Sequence, residues 1–345
     1  YLCDCFGSTT NLVAHLADTI ESGDQNKLWV LWLGMKVFGV GPNQYLSRIL
    51  ANQKSFEAFE DSIYNELLSI RYDDPIFATC YAERKRLVNN LPEDMPRINT
   101  YCDQIGIYEK NAVWYLTSAS EREEYELAKC LSIYNYSKEE LRAILRHGFP
   151  ELERYFTVFT FDAVNTKLPE SDIAFRSGLT FYFEQYKMQK LTNRIYPDFL
   201  ETVNSQAQSR PFMKLQPRSS IVSKVEKAKA GVFFFDALGV EYLAFIQAKC
   251  ENYGLISEVS VGRCELPSIT STNKEFEITC SNVKKISELD ELKHHSVNYD
   301  YTVCPYPIHI FRELEIIDVE LRRIASQLSQ GLMEKAIILS DHGAS

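Results

Sequence analysis

The stretch GVFFFDALGVEY (231–242) decides how the C-terminal part of this chain folds. Its first six residues are a continuous apolar run of strand length that ends in an acid, which suits a strand buried on both faces. A helix is expected next, from about Val240 to Tyr253, with Tyr242, Leu243, Ile246 and Cys250 on one face and Gly254 closing it. LISEVSV (255–261) alternates apolar and polar residues and reads as the next strand. A further helix, about Ile310 to Leu328, shows Leu314, Ile317, Leu321 and Ile324, and AIILSD (336–341) is a second buried strand. Strands alternating with helices over short links predict an α/β fold with a parallel, doubly wound sheet.

Working outward, residues 205–230 (SQAQSRPFMKLQPRSSIVSKVEKAKA) hold two prolines and six basic residues against one acid. They read as a linker, with a phosphate-attracting surface as the alternative. The chain before them reads mostly helical. Ser120-x-x-Glu123 and Ser137-x-x-Glu140 are capping-box patterns, the second helix stopping at Gly148 before Pro150. Another helix is expected over about Thr180 to Ile195, and LWVLWLGMKVFGV (28–40) reads as a buried helix, too short and too interrupted by Lys36 to span a bilayer. Trp29, Trp32 and Trp114 are expected in the core. The expected organisation is a helical region 1–208, a linker 209–230 and an α/β domain 231–345. The chain stops at Ser345, directly after a candidate site loop, so we expect that domain to be cut short at its C-terminus.

The chain has 345 residues, 45% of them hydrophobic, which is enough for about two cored domains and excludes wholesale disorder. A net charge of −10 argues against a broad nucleic-acid surface. Nine cysteines without a CxxC pair read as reduced thiols of a cytoplasmic protein rather than a disulfide framework or zinc finger. No signal peptide or membrane segment is visible. No GxGxxG or Walker loop is present, which disfavours the common nucleotide sites.

Three places carry chemistry. Asp236 ends the first buried strand, and Asp341-His342 end the other. In open α/β sheets ligands bind beyond the carboxyl ends of the strands, so an acid and an acid–imidazole pair are delivered to one edge. Carboxylate and imidazole together suit Zn²⁺ or Mn²⁺. The third place is ELPSITSTNKEF (265–276), where Ser268, Thr270, Ser271 and Thr272 precede a short helix and offer a hydroxyl nucleophile. Each has a plainer reading: a strand-end Asp caps helices, and Ser/Thr runs make turns. Their conjunction and order raise the signal.

FFFDALGVEY, LPSITSTN and ILSDHG together resemble the alkaline phosphatase superfamily, most closely its PglZ-domain branch of bacterial BREX phage-defence systems, of type 4 by preference. The resemblance covers about residues 230–345. It implies an alkaline-phosphatase-like sheet and a metal site of Asp236, Thr270, Asp341 and His342, with Thr270 as the nucleophile. It also implies a second metal site, for which KHHSVNYDYTVCPYPIHIF (293–311) offers Asp300 and His309, with His294 and His295 behind them. The family's Asp-x-x-x-His spacing is missing there, so one or two divalent ions, Zn or Mn, are expected. The implied activity is metal-dependent hydrolysis of a phosphate ester, diester or monoester, through a phosphothreonine. The implied partners are other defence-system proteins, without membrane. The competing reading is a catalytically weak scaffold subunit of a defence complex. Sulfatases are disfavoured by the lack of a Cys/Ser-x-Pro-x-Arg motif.

Overall fold

The apolar run at 231–236 forms the middle strand of a small parallel sheet. β1 (Ala230–Phe235) lies between β2 (Val283–Ile286) and β3 (Lys335–Ser340). These elements come from a computed structural model that describes residues 2–7, 10–53, 55–161, 173–274, 280, 282–295 and 302–343. The chain divides into two compact units, Tyr1–Tyr134 and Asn135–Ser345. This division falls earlier than the composition change at 205–230, and helices of 135–208 belong to the unit that contains the sheet.

In the second unit the sheet is covered on both sides, as the apolar run requires. Val232, Phe234 and Leu339 pack with Val222 and Cys280 on one face. Phe233, Phe235 and Ile286 pack with Ile324 on the other, beneath the helix His309–Ser329. The helix after β1 begins as a short turn at Val240–Tyr242 and continues over Leu243–Asn252, close to expectation. The capping box at Ser137 forms in full, with Ser137 Oγ accepting from Glu140 N and Glu140 Oε2 accepting from Ser137 N. The helix expected near Thr180–Ile195 runs over Ile173–Thr192, and a new one starts at Pro197.

Three expectations change. LISEVSV is not a strand: it is extended, but forms no ladder. Its alternation is real, since Val261 is buried and Val259 packs on the Phe159–Phe161–Phe175 cluster while Ile256 is fully exposed. One apolar side of an extended segment laid over a cluster produces period two without a partner strand. The strand next to β1 is instead β2, which holds Lys284 and Lys285 at its centre. Finally, the 209–230 stretch is built into the fold. It carries the helix Arg218–Val222, Val222 is buried against β1, and Pro217 pairs with Arg263.

The elements of the first unit are all helices among its described residues. Its core contains Leu31, Tyr45, Ile49, Phe59, Leu67 and Tyr101. The helix Gln25–Phe38 is capped by Asp24 and buries Trp32, Leu31 and Met35, but Trp29, Leu33 and Val37 form an exposed row along its other side. Trp114 is half-buried. Arg84 and Glu123 form a fully buried ion pair at 3.1 Å. Each is further satisfied: Arg84 Nε donates to Tyr64 O at 2.9 Å, its guanidinium lies 3.8 Å over the Tyr101 ring, and Thr117 Oγ1 donates to Glu123.

Candidate metal centre

The strand register places the site. Phe235 of β1 pairs with Ser340 of β3 and with Ile286 of β2, so all three strands end at one level. Asp236 and Asp341 are the next residues on their strands and meet side by side at the carboxyl edge. Asp236 N donates to Ile286 O at 2.9 Å, which extends the ladder by one rung. Ala237 then turns the chain with φ of 62°, a left-handed value that strains a residue with a Cβ. Its N–H donates to Asp341 Oδ1 at 3.3 Å, and His342 N donates to the same oxygen at 2.9 Å.

Donor atoms of Asp236, Asp341 and His342 all lie within 4.8 Å of one another. Both carboxylates are buried, and the His342 side chain is nearly so. His342 Nδ1 lies 2.8 Å from Gly343 O. A carbonyl only accepts, so Nδ1 carries a proton, and with Nδ1 as its protonated nitrogen the ring turns Nε2 to the cluster, free to ligate a cation. That nitrogen is 3.2 Å from Asp341 Oδ2 and 3.8 Å from Asp236 Oδ1. Asp341 Oδ2 nevertheless accepts no hydrogen bond from any described group. Two carboxylate oxygens and an imidazole nitrogen thus converge, an arrangement whose negative charge a cation in their midst would balance.

Thr270 completes the group. It opens the short turn Thr270–Thr272, where its Oγ1 donates to Asp236 Oδ1 at 3.2 Å and lies 3.4 Å from His342 Nε2. The turn is held by buried Asn273, whose Oδ1 accepts from Glu265 N at 2.7 Å and whose Nδ2 donates to Glu265 O and Ile269 O at 3.1 Å each. Arg218 ties the turn to β3, donating to Asn273 O and, at 2.5 Å, to Ser340 O. Lys285 of β2 pairs with Asp236 Oδ2 at 2.8 Å, and the carboxylate holds its ammonium pKa above the ordinary lysine value. A Cβ at position 239 would fall 1.9 Å from the buried Glu241 carboxylate, so a side chain there would have to displace that carboxylate.

The structure therefore brings together Asp236, Thr270, Asp341 and His342, and it does not bring His309 to them. His309 sits at the start of the helix His309–Ser329, with Nε2 3.8 Å from Glu313 Oε1. Glu313 in turn holds Lys190 at 2.8 Å and Tyr242 at 2.5 Å. Asp300 lies outside the described residues. His294 faces Asp290 at 3.4 Å, one turn back on the helix Glu288–His295. Lys285, Asn273 and Arg218 were not singled out in the sequence. Asn273 carried a readable signal, as an Asn closing a Pro-Ser-Thr turn. Lys285 carried none, because β2 itself was not visible. A groove of about 610 Å³ opens at the opposite ends of the strands, lined by Lys229, Asn282, Lys284 and Glu334 among others. It lies at the amino ends, away from this cluster.

Residues 1–134 match a family described as a domain of unknown function (DUF7863), and the match ends where the first compact unit ends. No curated protein and no solved structure matches the chain. No helix among the described residues is long and apolar enough to cross a membrane.

Proposed function

We propose that the second unit is a metal-dependent phosphohydrolase with Thr270 as its nucleophile. The observation that carries this is the convergence of the Asp236 and Asp341 carboxylates and the His342 imidazole beside a threonine hydroxyl. The donor set of two carboxylates and an imidazole fits Zn²⁺ or Mn²⁺. A bound divalent ion would neutralise phosphoryl charge and lower the pKa of a coordinated hydroxyl.

The side chains then divide the work. Asp236, Asp341 and His342 would hold the ion; the Gly343 carbonyl accepts from His342 Nδ1 and so turns Nε2 toward the cluster. Asn273 and Arg218 fix the turn so that Thr270 Oγ1 stays against Asp236. Thr270 Oγ1 loses its proton to solvent and forms the bond to phosphorus, while the bond from phosphorus to the ester oxygen breaks and the leaving alcohol takes a proton. Water cleaves the resulting phosphothreonine, releases the phosphate product and restores the hydroxyl. The net reaction is ester plus water to alcohol plus the phosphate product.

The order Asp236, Thr270, Asp341-His342 supports membership in the alkaline phosphatase superfamily, in its PglZ-like branch, with a role in cytoplasmic phage defence. A docking role for the first unit stands beside this, supported by the exposed row Trp29, Leu33 and Val37. The test is hydrolysis of bis-p-nitrophenyl phosphate and of p-nitrophenyl phosphate by the full-length protein with Zn²⁺ or Mn²⁺, beside Thr270→Ala. Metal-dependent turnover that falls by roughly a thousandfold or more in the variant is expected. Turnover that survives Thr270→Ala rejects the nucleophile. No turnover with either ion on either ester leaves the scaffold reading.

A further inference from the structure

We propose that Lys285 takes the place of a second metal ion in this centre and binds the phosphoryl group directly. The proposal rests on the metal reading above and gives it a stoichiometry of one ion and one lysine.

The two oxygens of Asp236 have different neighbours. Oδ1 faces Thr270 Oγ1 at 3.2 Å and His342 Nε2 at 3.8 Å, on the side where the acceptor atoms converge. Oδ2 faces Lys285 Nζ at 2.8 Å. The carboxylate therefore stands between the candidate metal position and an ammonium, as a bridging ligand stands between two cations. Asp236 is nearly buried, whereas the Lys285 side chain is 57% exposed. One of its three N–H donors goes to Asp236, and an exposed ammonium keeps the others for a ligand arriving from solvent.

The register explains why this lysine reaches the site. Lys285 pairs with Phe234, one rung below the strand ends, and its Nζ lies 5.9 Å from the centre of the Phe234 ring. Its stem runs over the sheet and its head emerges at the carboxyl edge beside Asp236. Among the described residues no other acid, histidine or cysteine joins the group of three that could hold an ion. His309, the histidine expected to help hold a second ion, is engaged with Glu313 instead.

Charge points the same way. Two carboxylates cancel the charge of a single divalent ion, which leaves that centre without net positive charge for an anion. Lys285 makes the loaded centre positive, and an ammonium binds phosphate oxygens as a point charge.

The test uses the full chain, titrated with Mn²⁺ and then, once loaded, with inorganic phosphate, as wild type, Lys285→Met, Lys285→Arg and Asp341→Asn. We expect one Mn²⁺ per wild-type chain and one per Lys285→Met chain. Phosphate should bind the loaded Lys285→Met chain at least roughly tenfold more weakly, the worth of one charge-assisted hydrogen bond, with Lys285→Arg restoring most of it. Two ions per wild-type chain, or phosphate affinity unchanged in Lys285→Met, would overturn the proposal and leave the metal reading standing. No Mn²⁺ bound by wild type, or binding that survives Asp341→Asn, would bring down the metal reading and this proposal together.

Discussion

Each unit of this protein buries charge, and the two do it differently. In the first unit Arg84 and Glu123 are closed on themselves: the guanidinium has a carboxylate, a carbonyl and an aromatic face, and the carboxylate has the guanidinium and Thr117. In the second, Asp236 and Asp341 stand beside an imidazole and a hydroxyl, and the nearest nitrogen to Asp341 Oδ2 is the His342 imidazole. A buried charge whose capacity is filled holds a fold together. A buried charge with capacity left over, at the carboxyl edge of a parallel sheet, is where we propose that a ligand binds.

The contrast breaks first, and with the largest effect, at Glu123. Glu123→Ala strands a buried guanidinium and should destabilise the chain by about 3–5 kcal/mol in urea unfolding, while the double replacement Arg84→Met with Glu123→Leu should recover most of it. A Glu123→Ala change under about 1 kcal/mol would mean the first unit is not closed in this sense. Asp341→Asn is the counterpart. It keeps an acceptor for Ala237 and His342 N–H and removes the charge at Oδ2, so metal-free stability should stay level or rise. What it should lose is stabilisation by Mn²⁺, about 2.7 kcal/mol for wild type at a hundred times the dissociation constant, read as a shift in thermal midpoint.

A third comparison lies within the second unit. Lys187 is buried, donates to Thr157 O at 2.8 Å, and is pushed down to about 7 by burial, which nearby Glu241 offsets in part. The unfolded chain then holds more protons than the folded one between pH 7 and the ordinary lysine value, so stability from this group rises with pH across that window and is lost as pH falls to 7. Buried thiols such as Cys102 and Cys130, raised to about 12, act in the opposite sense above about pH 8.5. The quantity to measure is therefore the difference between wild type and Lys187→Met, which should move by about 2 kcal/mol in favour of wild type from pH 7 to 9. A flat difference would mean that Lys187 stays charged in the fold. The smallest effect is local: Ser137→Ala removes one capping bond and should cost about 1 kcal/mol with no change in metal binding.

The parts of the fold legible in the sequence are those where a single physical demand shapes a run of residues. β1 and β3 are apolar because both faces are covered, and the helix His309–Ser329 shows its buried face at helical spacing. β2 escaped notice because it is four residues long and carries two lysines, so it lacks both the apolar run and the length. LISEVSV misled for the opposite reason, since a half-buried extended segment imitates a strand in everything except its hydrogen bonds. At the candidate site, Asp236, Asp341 and His342 could be read because strand ends fix where they go. His309 was harder to place because a helix N-terminus far along the chain can be brought to many places, and here its neighbour is Glu313. Arg218 was seen only as part of a basic stretch; nothing in such a stretch tells which arginine bridges Asn273 and Ser340.

The register of the sheet also has a consequence in time. Asp236 and Asp341 are neighbours in space but lie more than a hundred residues apart along the chain. A ribosome adding about 5–20 residues per second makes the second roughly 5–20 s after the first. Through that interval Asp236 has no histidine and no second carboxylate beside it. Lys285, which emerges before β3, is the partner already present, so a nascent chain can neutralise this acid while it waits for β3 to dock.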